Sequence, residues 1–290
     1  MFKGSIVALV TPFKNGKVDK EKIKELVGWH IESGTNAIVP CGTTGESATL
    51  SHEEHIEVID TVIKASKGRV PVIAGTGSNN TQEALYLTKR ASKLGADAVL
   101  IITPYYNKPT PEGLFEHYKT ISSSVNIPIM LYNIASRTGI NMEPSLVKRL
   151  SELKNIDAIK EASGNLSQMT DIIHICRKDF YLMSGDDALT LTIMCIGGTG
   201  VISVVANIVP KDVSEFIKSC NSGDLKKARE YHYKLNNLIK AMFIETNPGP
   251  VKKAMELMGK CSCELRLPLY KMQDANVEKL KSAMKEYGIL

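Results

Sequence analysis

Short apolar runs alternate with longer amphipathic stretches along most of the chain. The runs are rich in Val, Ile and Ala and are too short for typical helices. Both features favour strands that are covered on two faces. The pattern predicts eight such strands, at 6–10, 37–40, 70–74, 98–102, 129–132, 156–160, 181–184 and 200–204.

Helical periodicity fills the segments between these runs. In 19–33, apolar residues recur at helical spacing, and Gly34 follows the last turn. Segment 51–65 opens with Ser51 and Glu54, the spacing of a capping box. Segment 81–94 is a third predicted helix and ends at a glycine. The chain is therefore built from repeated strand–helix units.

Eight such units predict an α/β fold, a (β/α)8 TIM barrel over residues 1–223, with a doubly wound open sheet as the alternative. No Gly-x-Gly-x-x-Gly follows the first strand, where an open dinucleotide-binding sheet would place it. Beyond Cys220 the strand patterns stop. Helical patterns at 224–240, 250–258 and 277–287 predict a small C-terminal helical domain over residues 224–290.

Composition and charge narrow the class of protein. With 43% hydrophobic and 23% charged residues, the chain is typical of a globular protein. Its net charge is +5, but the basic residues are interleaved with acidic and apolar ones, unlike a nucleic-acid interface. The N-terminus opens directly into a predicted strand, and no apolar stretch approaches the roughly 18 residues of a membrane span. We expect a cytoplasmic protein with no membrane partner.

The six cysteines indicate neither a metal site nor a disulfide framework. No Cys-x-x-Cys pair occurs, and a zinc site needs closely spaced ligand pairs, so no metal is expected. Cys41, Cys176 and Cys195 lie in apolar runs and are predicted to be small core residues.

Lys160 stands at an unusual place, at the end of the sixth predicted strand. A lysine held there is partly desolvated, so its amine should lose a proton more easily and attack a carbonyl carbon. The alternative is an ordinary surface lysine, since the chain has 36 Lys and Arg residues. The barrel favours the first interpretation, because function in such barrels gathers at the carboxyl ends of the strands.

Other polar residues fall at the same predicted strand ends. Tyr132 ends the neighbouring strand, and a phenol can both donate and accept the protons that imine formation moves. Thr43 and Thr44 lie between glycines that let backbone amides approach a ligand. Arg137 offers a fork for a carboxylate. Taken singly, these residues would equally fit a buried tyrosine, a tight turn and a surface arginine.

Several motifs in one order make the chain resemble the dihydrodipicolinate synthase family of pyruvate-dependent class I aldolases. The resemblance runs from residue 4 to residue 268. It is carried by the motifs Gly42-Thr43-Thr44-Gly45-Glu46-Ser47, Thr103-Pro104-Tyr105-Tyr106-Asn107, Tyr132-Asn133, Ser136-Arg137-Thr138-Gly139, Ile159-Lys160-Glu161-Ala162, Ser184-Gly185-Asp186-Asp187 and Gly200-Val201-Ile202-Ser203.

The resemblance implies a catalytic group of Lys160, Tyr132, Thr43 and Tyr106. Lys160 would hold pyruvate covalently as a Schiff base, so no separate cofactor is expected. The two tyrosines and Thr43 would relay protons, with Tyr106 reaching into a neighbouring subunit of a homotetramer, a dimer of dimers.

The resemblance also implies substrate-binding residues. Thr44 would bind the pyruvate carboxylate, and Arg137 the carboxylate of L-aspartate 4-semialdehyde. Main-chain groups near Gly185 and Ile202 would line the pocket. The product would be 4-hydroxy-tetrahydrodipicolinate, the first committed intermediate of diaminopimelate and lysine biosynthesis. In this chain Ala135 stands where the family usually has proline, which is expected to loosen the loop that carries Arg137.

A regulatory site for L-lysine is implied in the same way. The residues that match the family's lysine-inhibited members are Ser47, Ala48, His52, His55, Asn79, Glu83 and Tyr105. A carboxylate and carbonyl-type acceptors among them would hold the amino groups of the ligand. Seen without the resemblance, they are ordinary helix-surface residues.

Three other functions fit parts of the sequence. N-acetylneuraminate lyase and keto-deoxy-gluconate aldolase would share Lys160 and Tyr132, but they bind a sugar chain, which Arg137 disfavours. A non-catalytic sensor of pyruvate or lysine would not need a nucleophile. A phosphate site at 197–200 is a further possibility for a barrel, although a turn into the eighth strand is simpler.

Overall fold

The computed structural model describes residues 1–290, and its central feature is a sheet of eight parallel strands. The sheet order is β4-β1-β10-β9-β8-β7-β6-β5, and β2 and β3 form a separate hairpin. The strands are β1 Gly4–Ala8, β2 Phe13–Lys14, β3 Lys17–Val18, β4 Ala37–Val39, β5 Ile73–Gly75, β6 Ala98–Ile102, β7 Ile129–Asn133, β8 Ile156–Glu161, β9 Tyr181–Ser184 and β10 Gly200–Ser203.

The two end strands of this sheet meet and close it into a barrel. Ile38 of β4 forms a parallel bridge with Val72, just before β5. The amide of Ile38 donates to the carbonyl of Pro71 at 3.0 Å, and that of Gly75 donates to Pro40 at 3.0 Å. The predicted (β/α)8 barrel is therefore confirmed, and the open-sheet alternative is wrong.

All eight predicted strands exist, and two of them have the predicted bounds, Ala98–Ile102 and Tyr181–Ser184. The prediction at 70–74 differs most, since β5 begins at Ile73. Pro71 explains the difference, because proline has no N–H to donate to a ladder. The first strand runs Gly4–Ala8 instead of 6–10, and the amide of Val10 instead donates to the Asn207 side chain.

The helices form the outer layer and extend into the C-terminal region. The predicted capping box is present, with Ser51 and Glu54 each accepting from the other's backbone amide. The helices are α1 Lys20–Glu32, α2 His52–Ser66, α3 Thr81–Leu94, α4 Pro111–Ser124, α5 Ala135–Thr138, α6 Pro144–Ser151, α7 Leu166–Ile175, α8 Thr190–Cys195, α9 Pro210–Asn221, α10 Leu225–Met242, α11 Gly249–Leu257 and α12 Asp274–Tyr287.

Two separate hydrophobic clusters fill the molecule. The larger contains 58 buried residues, packed mainly between the strands and the surrounding helices. The smaller contains 13 residues, and its members Met130, Tyr132 and Ala158 come from β7 and β8. Because side chains alternate along a strand, Lys160 shares the inward face of Ala158. The barrel interior is therefore filled mainly by apolar side chains, and the polar Lys160 lies at the carboxyl end of β8.

The C-terminal helices pack onto the barrel layer. α10 lies against α9, which itself packs on β1, and α12 lies against α10. The boundary at residue 224 stays a prediction, although α9 is the last helix to follow a barrel strand. No helix combines the length and apolar character needed to cross a membrane.

The cysteine predictions are confirmed in part. Cys41 and Cys176 are buried, whereas Cys195 is exposed, so its predicted place in the core is wrong. Cys195 ends α8, two positions after the buried Ile193. Two helical positions amount to about 200° of rotation, which turns Cys195 toward solvent. No group of three or more His, Cys, Asp or Glu side chains is arranged to hold a metal ion.

Candidate active site

Lys160 lies inside the barrel at the carboxyl end of β8. It is 6% exposed and pairs in parallel register with Tyr132 of β7. The Lys160 Nζ atom lies 4.1 Å from the centroid of the Tyr132 ring. Sequence alternation and strand register therefore bring together the two residues that were predicted to react and to move protons.

Gly185 provides the space that the Lys160 side chain occupies. It follows β9, and its amide donates to the carbonyl of Glu161 at 2.8 Å. A Cβ atom at this position would lie 3.0 Å from Lys160 Cε and 2.8 Å from Ala162 Cβ. Both distances are shorter than carbon atoms tolerate without movement, so a glycine here leaves the lysine its path into the barrel.

A buried polar network joins the carboxyl ends of β7 and β8. Glu161 has no exposed surface and accepts from the Ser163 amide at 2.6 Å and from Asn133 Nδ2 at 3.0 Å. Gln168 Nε2 donates to the same carboxylate at 3.2 Å. The sequence motifs contained Asn133 and Glu161 but gave them no role. Their contacts fix the two strand ends from which Tyr132 and Lys160 project.

The segment that carries both threonines folds as a compact turn after β4. The Thr11 hydroxyl donates to the Gly45 carbonyl at 2.7 Å, and a Cβ on Gly45 would come within 3.0 Å of main-chain atoms of Leu9 and Cys41. Thr44 is buried, and its Oγ1 accepts from Asn247 Nδ2 at 3.0 Å. The glycine therefore serves close backbone packing in this turn.

Arg137 lies on a single helical turn, and the loosening expected from Ala135 stays a prediction. Thr138 Oγ1 donates to the Ile134 carbonyl at 3.1 Å, and the Gly139 amide donates to the Ala135 carbonyl at 2.9 Å. Ala135 is the first residue of this helix, a position that also suits proline. Arg137 Nη2 donates to the Asn247 carbonyl at 3.3 Å. The Arg137 side chain is exposed, but this hydrogen bond fixes its guanidinium group.

One cavity of about 620 Å³ opens over these groups. It brings together the predicted catalytic and substrate-binding residues Thr43, Tyr132 and Arg137 with most of the predicted lysine-binding residues, Ser47, Ala48, His52, His55, Glu83 and Tyr105. Lys160 and Thr44 lie just behind this lining. Lys160 contacts the lining residue Tyr132, and Thr44 contacts the lining residue Asn247.

Besides Lys160 and Thr44, four other predicted site residues lie outside the cavity wall: Asn79, Tyr106, Gly185 and Ile202. Gly185 borders Lys160, and Ile202 is buried in the barrel interior. Tyr106 is 89% exposed with a φ of 73°. Its side chain belongs to the surface of this chain and not to the cavity.

Two of the predicted lysine-binding residues, His52 and Glu83, contact each other at the cavity. His52 Nε2 lies 2.6 Å from Glu83 Oε1, and the Ser78 hydroxyl donates to the other oxygen of Glu83. The Ser78 hydrogen bond and His52 together hold the pKa of Glu83 below its usual value. His55 is buried, its Nε2 donates to the Gly75 carbonyl at 2.7 Å, and burial lowers its pKa.

Two further predicted members of this group make separate contacts. The Asn79 carbonyl accepts from Asn107 Nδ2 at 2.8 Å. Burial and the nearby Glu83 carboxylate raise the pKa of Tyr105, which keeps this half-buried phenol protonated. The site thus offers an ionised carboxylate near protonated and neutral donors.

The C-terminal region contributes two residues that were not predicted from the sequence, Asn247 and Lys252. Asn247 lines the cavity and contacts Thr44 and Arg137, yet it lies 203 residues from Thr44. Lys252 is fully buried and lies 2.6 Å from Glu46, while burial lowers its pKa. One feature of the sequence could have indicated that Lys252 is buried. It lies three positions before Met255, on the same face of helix α11 as this buried residue.

Fold and site together define a class of protein: a (β/α)8-barrel lyase with a lysine inside the barrel at the end of the sixth barrel strand. A family model described as the dihydrodipicolinate synthetase family matches residues 1–287. The chain belongs to this family.

Three relatives illustrate the similarity. The 4-hydroxy-tetrahydrodipicolinate synthase of Syntrophus aciditrophicus is 56% identical over the full length of both chains. A dihydrodipicolinate synthase from Acinetobacter baumannii, solved in complex with pyruvate, is 46% identical, with a TM-score of 0.98 and full coverage of both chains. The enzyme from Cyanidioschyzon merolae, solved with lysine bound, is 41% identical, with a TM-score of 0.97 over 100% of this chain and 99% of that one.

The space at Gly185 generates a direct test. We expect Gly185→Ala to lower kcat/KM of the synthase reaction about 100-fold, because displacing a reacting group by about 1 Å has an effect of that order. Gly28→Ala is the matched control, since a Cβ at Gly28 in α1 meets nothing within 4 Å. Steady-state kinetics on both variants test this expectation. A parental kcat/KM in Gly185→Ala would show that Lys160 does not need the space left by this glycine.

Proposed function

We propose that the chain condenses pyruvate with L-aspartate 4-semialdehyde to give 4-hydroxy-tetrahydrodipicolinate, the first committed step of diaminopimelate and lysine biosynthesis. The observation that carries the proposal is the placement of Lys160 inside the barrel against the Tyr132 ring, below a cavity that also exposes Thr43 and Arg137. The names of the relatives and the pyruvate complex of the Acinetobacter baumannii enzyme support it.

Lys160 is the nucleophile in this proposal. Its neutral amine attacks the ketone carbon of pyruvate to form a carbinolamine, which loses water to give an imine. Removal of a methyl proton gives an enamine, whose carbon attacks the aldehyde of the semialdehyde and forms the new C–C bond. The substrate's amine then displaces Lys160 as the ring closes. One water is released overall, and no step requires a metal or a separate cofactor.

Tyr132 and Thr43 carry the protons in these steps. Tyr132 is 5% exposed and adjacent to the amine, which suits a phenol that donates to the departing hydroxyl of the carbinolamine. Thr43 lines the same cavity. The relay is completed by the partner subunit's Tyr106 in a homotetramer, a dimer of dimers. The high exposure and left-handed backbone of Tyr106 support this, because such a residue projects away from its own barrel.

Two separate groups bind the two carboxylates. Thr44 binds that of pyruvate, with its hydroxyl oriented by Asn247. Arg137, which lines the same cavity, binds that of the semialdehyde, because a guanidinium can form two parallel hydrogen bonds with a carboxylate. Main-chain groups beside Gly185 and Ile202 complete the pocket around the lysine. This division explains why one cavity accommodates two acids.

Substitution of Arg137 tests the choice of second substrate. We expect Arg137→Ala to raise the KM for L-aspartate 4-semialdehyde at least about tenfold and to leave the KM for pyruvate within about threefold, since a charge-assisted pair is lost to one substrate only. Arg149→Ala is the control, because this half-exposed arginine pairs with Glu112 on the outer helices. Faster turnover of N-acetylneuraminate than of the semialdehyde would sink the assignment in favour of a sister aldolase.

We further propose that L-lysine inhibits the enzyme at the group formed by Ser47, Ala48, His52, His55, Asn79, Glu83 and Tyr105. The ionised Glu83 would accept from an ammonium group of the ligand, and the lysine complex of the Cyanidioschyzon merolae enzyme supports such a site. Because all of these residues except Asn79 line the same cavity as Thr43 and Tyr132, lysine bound there would lie close enough to alter the relay.

Titration of lysine against initial rate tests the regulatory proposal. We expect inhibition in the parent and at least about tenfold weaker inhibition in Glu83→Gln, because the ligand loses a charged acceptor. Glu116→Gln is the control, since this exposed glutamate pairs only with Lys119 on α4. Absence of inhibition of the parent at millimolar lysine would refute the site.

A further inference from the structure

A buried ion pair joins the threonine turn to the C-terminal region. Lys252 of α11 and Glu46 both have fully buried side chains, and Lys252 Nζ lies 2.6 Å from Glu46 Oε1. The two residues are 206 positions apart in the chain. Burying two charges is costly, so stability alone does not account for this pair.

The Glu46 backbone shows what the pair holds. Glu46 has a φ of 55°, in the left-handed region that side-chain-bearing residues rarely adopt. Its second carboxylate oxygen accepts from the Arg266 amide at 3.2 Å. Both oxygens are thus anchored to the C-terminal region, and this fixes a strained residue immediately after Thr43, Thr44 and Gly45.

Lys252 has no free N–H group with which to bind a substrate. Its ammonium donates to Glu46 and to the carbonyls of Thr11, at 3.0 Å, and Glu264. The Phe13 ring covers it, with the ring centroid 4.3 Å from Nζ. An ammonium group has three donors, and all are used. Lys252 therefore acts through Glu46 and not on a ligand.

The same region fastens the turn at a second point. Asn247, five positions before Lys252, donates to Thr44 Oγ1 at 3.0 Å. A displacement of α11 would therefore shift the Thr44 hydroxyl and the Glu46 anchor together. Lys160 and Tyr132 stand on β8 and β7, which have other supports. Loss of the pair should thus affect binding at the turn more than the reactivity of the lysine.

We propose that Glu46 and Lys252 are a positioning pair that holds the Thr43–Thr44 turn in register with Lys160 and thereby sets the affinity for pyruvate. This inference rests on the proposed function. If Lys252 positions the turn through Glu46, the C-terminal region contributes to substrate binding as well as to the fold.

The test removes both charges at once and keeps the shape. We expect the double variant Glu46→Gln/Lys252→Met to fold, since no uncompensated charge stays buried. Its KM for pyruvate should rise about tenfold, and kcat should fall by a smaller factor because Thr43 of the proton relay stands on the same turn; general destabilisation would lower the active fraction, and so kcat, without raising KM. The matched control is Asp212→Asn/Lys234→Met, an ion pair between α9 and α10 away from the cavity.

Each outcome bears on the inference. An unchanged pyruvate KM in a folded double variant, or the same rise in the control, overturns it. If the double variant fails to fold, Glu46→Asp replaces it, since that change keeps the charge but shortens the anchor by one methylene; a raised pyruvate KM supports the inference and a parental KM overturns it. A parent that forms no borohydride-stable adduct with pyruvate overturns the proposed function, and the inference with it.

Discussion

Strand alternation inside a closed barrel is the constraint on which the site depends. Along β8 every second side chain faces inward, so a residue two positions beyond Ala158 must project into the same space. Parallel register with β7 then places Tyr132 beside it. The glycine at 185 leaves room, and the aliphatic interior excludes water from below. The Lys160 amine is thereby held at a fixed position beside the Tyr132 ring.

The second requirement is that the surrounding turns be held from outside the barrel. The Thr43–Thr44 turn and Arg137 both depend on Asn247, and Glu46 depends on Lys252. Barrel enzymes vary their chemistry through the segments that follow the strands. Here the C-terminal region supports those segments, so Thr44, Glu46 and Arg137 are held in place although they lie on separate elements.

The sequence was sufficient for what depends on local patterns and failed for what depends on distant contacts. Periodicity placed all eight strands and the Ser51–Glu54 capping box, and strand ends located Lys160 and Tyr132. No local pattern could show that Lys252 pairs with Glu46, because packing of α11 against the barrel decides it. The misplacement of Cys195 has a similar origin, since an apolar run does not reveal which helical face is turned outward.

The most direct measurement of the central claim is borohydride reduction in the presence of pyruvate, followed by intact mass and peptide mapping. We expect one added pyruvate per chain, less one water and plus two hydrogens, located on Lys160. The adduct should be lost in Lys160→Ala and kept in Lys154→Ala, an exposed lysine shortly before the same strand. Failure to trap an adduct, or its persistence in Lys160→Ala, would show that Lys160 does not form the Schiff base.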